Sequence, residues 1–252
     1  MNISALSTIL NLVTTNPNEA KALVKLLSID VLKSLGDGKY LVSEKNSSAK
    51  DALTAQSDKP LNEGERYWAL LSHKKNELPK LLNPMKQPLP FQNLQSSSLE
   101  YSLKDLQTIL SSKNPQNIVK YDLLEQLNSA TNKDEFTNIA SMLLSLQNQT
   151  LTIPLNYQGY FSILQFKKRY NKQTKKTAID FYASLEFLGP ISGLIWLDEG
   201  KISIELSVAF ERSKQFLQNS INDISYGVKI SLLEKIEPLY NANMECILDI
   251  SI

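Results

Sequence analysis

Residues 177–210 read TAIDFYASLEFLGPISGLIWLDEGKISIELSVAF, and the fold class turns on them. Ile202, Ile204, Leu206, Val208 and Phe210 alternate with Ser203, Glu205, Ser207 and Ala209. A period of two places the first set on a core face and most of the second in water. Ile179, Phe181, Ala183, Leu185 and Phe187 repeat the pattern against Asp180, Tyr182, Ser184 and Glu186. Between the runs stands Gly189-Pro190, which a central strand cannot carry through without losing ladder bonds, so a tight turn or bulge is expected there. Ile191–Leu197 gives a further strand, and Asp198-Glu199-Gly200 has the residue types of a hairpin turn. Strands over 177–187, 190–197 and 201–210 then form an antiparallel meander.

Working outward, Phe216, Leu217, Ser220, Ile221 and Ile224 fall at helical spacing, and Gly227 stands where a left-handed C-terminal cap belongs. Val228, Ile230 and Leu232 alternate again, as do Met244, Cys246, Leu248, Ile250 and Ile252. One amphipathic helix packed on a mainly antiparallel sheet is an α+β arrangement, expected over 150–252.

The front of the chain divides into smaller pieces. Ile3, Leu6, Ile9, Leu10 and Val13 read as a short amphipathic helix, in a segment whose Ser, Thr and Asn content also suits an uncleaved type III export signal. Asn16-Pro17 starts a second helix to about Leu27, giving N-terminal helices over 1–27. The turn Gly36-Asp37-Gly38, the turn Pro60–Gly64 and the apolar runs around them predict a small β-barrel-like unit over 28–85. Pro79, Pro84, Pro88 and Pro90 mark a linker, set at 86–101. Three helix starts follow over 102–148: Ser102 with Asp105 as a capping box, Asn114-Pro115, and Asn132 with Glu135.

Composition bounds the function. The 252 residues carry 42% hydrophobic and 21% charged side chains, values of a globular protein. A net charge of +1 argues against a wholesale polyanion binder. A single cysteine excludes an internal disulfide, and Cys246 reads as a small core residue. No apolar run approaches the ~20 residues that span a bilayer, so no membrane insertion is expected, and no Sec-type signal peptide. Catalytic equipment is not legible. One histidine, His73, cannot assemble a metal site with a distant cysteine, and adjacent Asp198 and Glu199 point in different directions. No phosphate-cradling glycine loop or nucleophile elbow occurs, so the expectation is a non-enzyme without cofactors.

The stretch 151–232 resembles the C-terminal domain of the flagellar hook-length control protein family. The similar residues are Leu151-Thr152-Ile153-Pro154-Leu155, Gly159–Ile163, Phe187-Leu188-Gly189-Pro190-Ile191, Gly200–Ile204, the helix 211–226 and the strand led by Gly227. Gly36–Tyr40, Leu53–Ala55 and Pro60–Trp68 resemble a small barrel found ahead of that domain. The resemblance implies a bacterial type III export protein whose C-terminal domain engages the cytosolic part of the export-gate switch protein. It acts there by protein–protein recognition, changing the exported class, with hook or hook-cap proteins as further partners. It implies a cytoplasmic location with export through the flagellar apparatus, and places partner contact at Leu188, Gly189, Pro190 and Ile191. Turn chemistry alone also accounts for those residues. The family's long, low-complexity front region has no counterpart in this chain.

Lys167, Lys168, Arg169, Lys172, Lys175 and Lys176 form a basic hairpin near Tyr157, Tyr160, Phe161 and Tyr170. Such a set suits electrostatic docking of an acidic partner surface. Binding of single-stranded nucleic acid, by phosphate neutralisation and base stacking, is the alternative function. Lysines at a hairpin tip also discourage edge pairing, and the near-neutral charge favours that reading over nucleic acid.

Overall fold

A computed structural model describes residues 23–44, 52–74, 77–94, 99–157, 160–171, 176–198, 201–220 and 227–241. The chain divides into two compact units, Met1–Gln87 and Pro88–Ile252. The expected helices before residue 23 and the expected strand from Met244 lie outside the described residues.

In the first unit, β1 (Leu23–Gly36), β2 (Lys39–Glu44), β3 (Leu53–Ser57), β4 (Arg66–His73) and β5 (Lys80–Lys86) close in the order β1-β2-β3-β5-β4. Every pair is antiparallel except β3 with β5, the strand arrangement of an OB-type Greek-key barrel. Asp37 and Gly38, at φ 51° and 69°, make the left-handed two-residue turn that matches strand twist in a hairpin. Leu27, Ile29, Val31, Val42, Ala55, Ala69, Leu71 and Leu81 fill the interior. Arg66 holds Asp30 across the β1–β4 pair through two bonds, Nε to Oδ1 at 2.6 Å and Nη2 to Oδ2 at 3.1 Å.

Two expectations fail here. Leu23–Leu27 is strand, not the end of a helix. Leu26, Leu27, Ser28 and Ile29 are all buried, so this part of β1 is covered on both sides and shows no period of two, whereas Leu32 to Gly36 are exposed. Pro84 is not in a linker but inside β5. It sits where the β4–β5 register slips between Trp68 and Leu70, after Asn83 at φ 48°, and a bulge is a site where a strand accepts proline.

The second unit begins with helices α1 (Leu89–Leu94), α2 (Leu103–Ser111), α3 (Pro115–Ser129) and α4 (Lys133–Gln147). The expected linker is packed structure: Phe91, Leu94 and Leu99 are buried, and Phe91 stacks 5.6 Å from Phe161. The Ser102–Asp105 capping box forms as expected, each side chain bonding the other's main chain. The Ser102 hydroxyl also donates to Asp105 Oδ2 at 2.6 Å, and that bond first, then the one from the Ser102 N–H, holds the Asp105 carboxyl below its ordinary pKa. Asn132 caps Glu135, and Pro115 opens its helix although Asn114 makes no side-chain cap.

Six strands follow: β6 (Thr150–Tyr157), β7 (Tyr160–Asn171), β8 (Lys176–Leu185), β9 (Gly189–Asp198), β10 (Lys201–Val208) and β11 (Gly227–Leu232). The sheet order is β11-β10-β9-β8-β7-β6, antiparallel except for β10 with β11. A parallel pair needs a crossover, and α5 (Glu211–Ser220) supplies it, packing on β10 and β11. The α+β class and the one helix on a mainly antiparallel sheet stand as expected. Gly227 does not cap that helix, for it opens β11 and has no left-handed φ. The helices α2 and α4 pack against β6, so the helical region belongs to the same unit as the sheet. Pro154 is tolerated because, among the described residues, β6 is an edge strand whose far side meets a single bridge from Tyr101 to Leu155.

Candidate functional site

β7 runs from an aromatic end to a basic end of the sheet, roughly 30 Å apart over the nine residue steps from Tyr160 to Arg169 at strand rise.

At the aromatic end the β8–β9 loop is three residues, Glu186-Phe187-Leu188, closed by the Leu185–Gly189 pair. Gly189 has φ 74°, the left-handed position such a loop requires, where a side chain would be strained. Pro190 is the second residue of β9, and the β10 ladder stops one position later at Ile191, so its missing N–H falls before the doubly paired stretch. Ser213 of α5 donates its hydroxyl to the Leu188 carbonyl at 2.6 Å, fastening the loop to the helix. Leu188 packs with Ala183, Ile191, Val208 and Leu217.

Gly189, Pro190 and Ile191 are buried, and Leu188 is partly so. These four residues therefore shape the end of the sheet, and the groups that reach solvent are their neighbours. Phe187 (48% exposed) meets Tyr160 (51%) edge-to-face, with centroids 5.3 Å apart and planes at 81°. Tyr157, exposed to a similar degree, faces Tyr160 across the β6–β7 turn. Sequence reasoning placed Phe187 on a core face by alternation. The strand ends at Leu185, so the pattern overran the turn by two residues.

At the basic end Lys167 lies opposite Asp180, and Arg169 Nε donates to Asp180 Oδ2 at 2.9 Å. Lys168 and Arg169 are exposed, as is Tyr170. Lys172 and Lys175 lie outside the described residues, and Lys176 opens β8 opposite Asn171. Asp180 thus offsets part of the positive charge that the sequence placed here. Beside the ion pair a shallow cleft of about 310 Å³ is lined by Arg169, Asp180, Ser192, Leu194, Glu205 and Leu239.

One feature left only a faint signal in the sequence. The segment after β11 returns to β7, where the Gln165 side chain pairs with Tyr240 as a strand backbone would. Its Nε2 donates to the Tyr240 carbonyl at 2.8 Å, and the Tyr240 N–H donates to its Oε1 at 3.2 Å. Ile236 is buried along the way. A glutamine at a strand position between Leu164 and Phe166 was the only available hint. On the same face as Gln165, Tyr182 and Ser184 are buried rather than in water as the alternation predicted; their hydroxyls bond at 2.6 Å, and burial pushes the Tyr182 phenol well above its ordinary pKa. Tyr101, which bonds Asp122, is raised first by burial and then by that carboxylate.

Among the described residues, no three His, Cys, Asp or Glu side chains gather as metal ligands, and no helix is long and apolar enough to cross a membrane. The fold and the two sheet ends define an α+β protein that joins a five-stranded barrel to an open six-stranded sheet. No protein-family model matches the sequence, and no curated protein matches it either.

Proposed function

We propose that this chain is a non-enzymatic, hook-length-control-like protein that switches type III export specificity. Its C-terminal sheet would engage the cytosolic domain of the flagellar export-gate switch protein, from the cytoplasm, with the chain itself an export substrate. The reading rests on the resemblance of 151–232, and one geometric observation supports it. The Leu188-Gly189-Pro190 bend is buried and bonded to α5, and it presents Phe187 against Tyr160 in solvent. Aromatic groups held in place by their surroundings are the side chains that dominate protein interfaces, because they bury large area at small entropic cost. The bend is the mount and the aromatics are the contact. The exposed Lys168 and Arg169 serve as an electrostatic docking surface that raises the encounter rate with an acidic partner.

The test is a titration of the full chain against the export-gate cytosolic domain, with Phe187→Ala and Tyr160→Ala as variants. Each should weaken binding at least about tenfold, the ~1.4 kcal/mol of a substantial interface contact. Absence of binding by the unmodified chain overturns the proposal, as do normal hook lengths and swimming in a strain lacking the gene.

A further inference from the structure

We infer that the face of the six-stranded sheet bearing Gln165 is a docking site for a linear peptide, filled here by the chain's own residues 233–241. The segment itself shows what fits. It has neither helix nor strand, and it crosses from β10 to β7, three strand spacings or roughly 14 Å. It leaves β11 with the Leu233 N–H donating to the Val208 carbonyl at 3.0 Å, buries Ile236, and lines the cleft beside Arg169 and Asp180 with Leu239. It then meets Gln165 through the main chain of Tyr240.

Gln165 recognises backbone, not a side chain. Its Nε2 donates to the Tyr240 carbonyl and its Oε1 accepts the Tyr240 N–H, a pairing open to any residue but proline. The carboxamide is also held from the sheet side. Its Nε2 donates to Thr152 Oγ1 of β6 at 3.3 Å, and that bond does not depend on the segment. A group set in advance lowers the cost of binding. Main-chain bonds of this kind supply affinity, and sites for particular side chains supply specificity. The specificity sites here take Ile236 and Leu239, three positions apart. Leu194 lines the cleft with Leu239, and Asp180 and Glu205 stand opposite Leu194 on the two neighbouring strands. The partner is therefore a peptide with two aliphatic residues three apart, followed by a residue other than proline. Residues 233–241 follow β11 directly, so their effective concentration at the site is of millimolar order, and a partner must compete with them. The site is thus self-blocked. This inference does not rest on the proposed export role.

The test is fluorescence anisotropy of a labelled peptide of residues 233–241, titrated with the full chain. Ile236→Asp combined with Leu239→Asp frees the site in the chain, and this variant should bind the peptide at least about tenfold more tightly than the unmodified chain does. Adding Gln165→Ala should weaken that binding at least about tenfold, since two main-chain bonds are lost. A peptide carrying Ile236→Asp and Leu239→Asp should not bind. Thermal melts establish that the variants fold. A folded double variant that binds the peptide no better than the unmodified chain overturns the inference, as does binding indifferent to Gln165→Ala. If the double variant does not fold, the unmodified chain decides: peptide at several millimolar, about the effective concentration of the tethered segment, should shift the Tyr240 amide signal in NMR spectra. An unmoved signal overturns the inference.

Discussion

The barrel and the six-stranded sheet solve the same problem in opposite ways. Closure leaves the barrel without an edge, and Ile29, Val42, Ala55, Ala69 and Leu81 of its interior have no exposed surface at all. The six-stranded sheet leaves Ile179 and Leu197 40% and 58% exposed on its apolar face. Closure does not cover everything, for Leu32 and Leu35 of β1 stay 41% and 48% exposed. What the sheet adds is an aromatic pair held in solvent, Phe187 on Tyr160, and the proposed recognition surface lies there.

The comparison can be broken most forcefully from the barrel side. Ile29→Ala empties a fully buried position of the barrel interior and should cost about 2–5 kcal/mol. Hydrogen exchange should show protection lost in β1–β5; equal loss in β7–β10 would mean that the two regions do not differ as argued. Next comes Gly193→Ala in the middle of the sheet. A Cβ there would stand 2.4 Å from the Phe181 ring and 2.5 Å from the Glu205 carbonyl, so about 1–3 kcal/mol of overpacking is expected in a denaturant titration. Gly189→Ala puts a side chain at φ 74° and should cost about 1–2 kcal/mol, with signals of the Phe187–Tyr160 pair shifting in NMR spectra.

Raising the pH sharpens the contrast within the second unit. Tyr101 and Tyr182 have phenols raised by burial, so the folded state holds their protons more tightly than the unfolded chain does. That stability is fully present below the unfolded value near 10 and is lost as pH rises beyond it. Unfolding midpoints should fall above about pH 10, and Tyr101→Phe should flatten the fall. The smallest effect on stability is expected for Phe187→Ala, within about 1 kcal/mol because only one half-exposed aromatic contact is lost. A larger loss would make Phe187 part of the core and remove it from the candidate surface.

Much of the fold was legible where one face of an element is wet. β8, β9 and β10 appear within two residues of the alternating runs, apart from the overrun at Phe187. The Gly36-Asp37-Gly38 turn and the Ser102–Asp105 box are local chemistry and formed as read. Burial from both sides hid the start of β1, where Leu26 to Ile29 are all covered, and it misled the reading of β8, where Tyr182 and Ser184 are buried instead of wet. The proline-marked segment around Phe91 looks like a linker until the side chain that covers it is known. The candidate site was half legible: the Leu-Gly-Pro bend was visible, but not that it turns its own residues inward.

The sequence by itself determined the α+β class, the meander, the turns and the capped helices, because these follow from interactions within a few residues. Only the tertiary structure decided that the first barrel closes, that β11 joins in parallel through α5, and that Gln165 holds the segment at Tyr240. It also decided which apolar groups near the bend are spent on the core and which remain in water. Those outcomes depend on contacts between residues far apart in the chain, and side-chain periodicity carries no record of them.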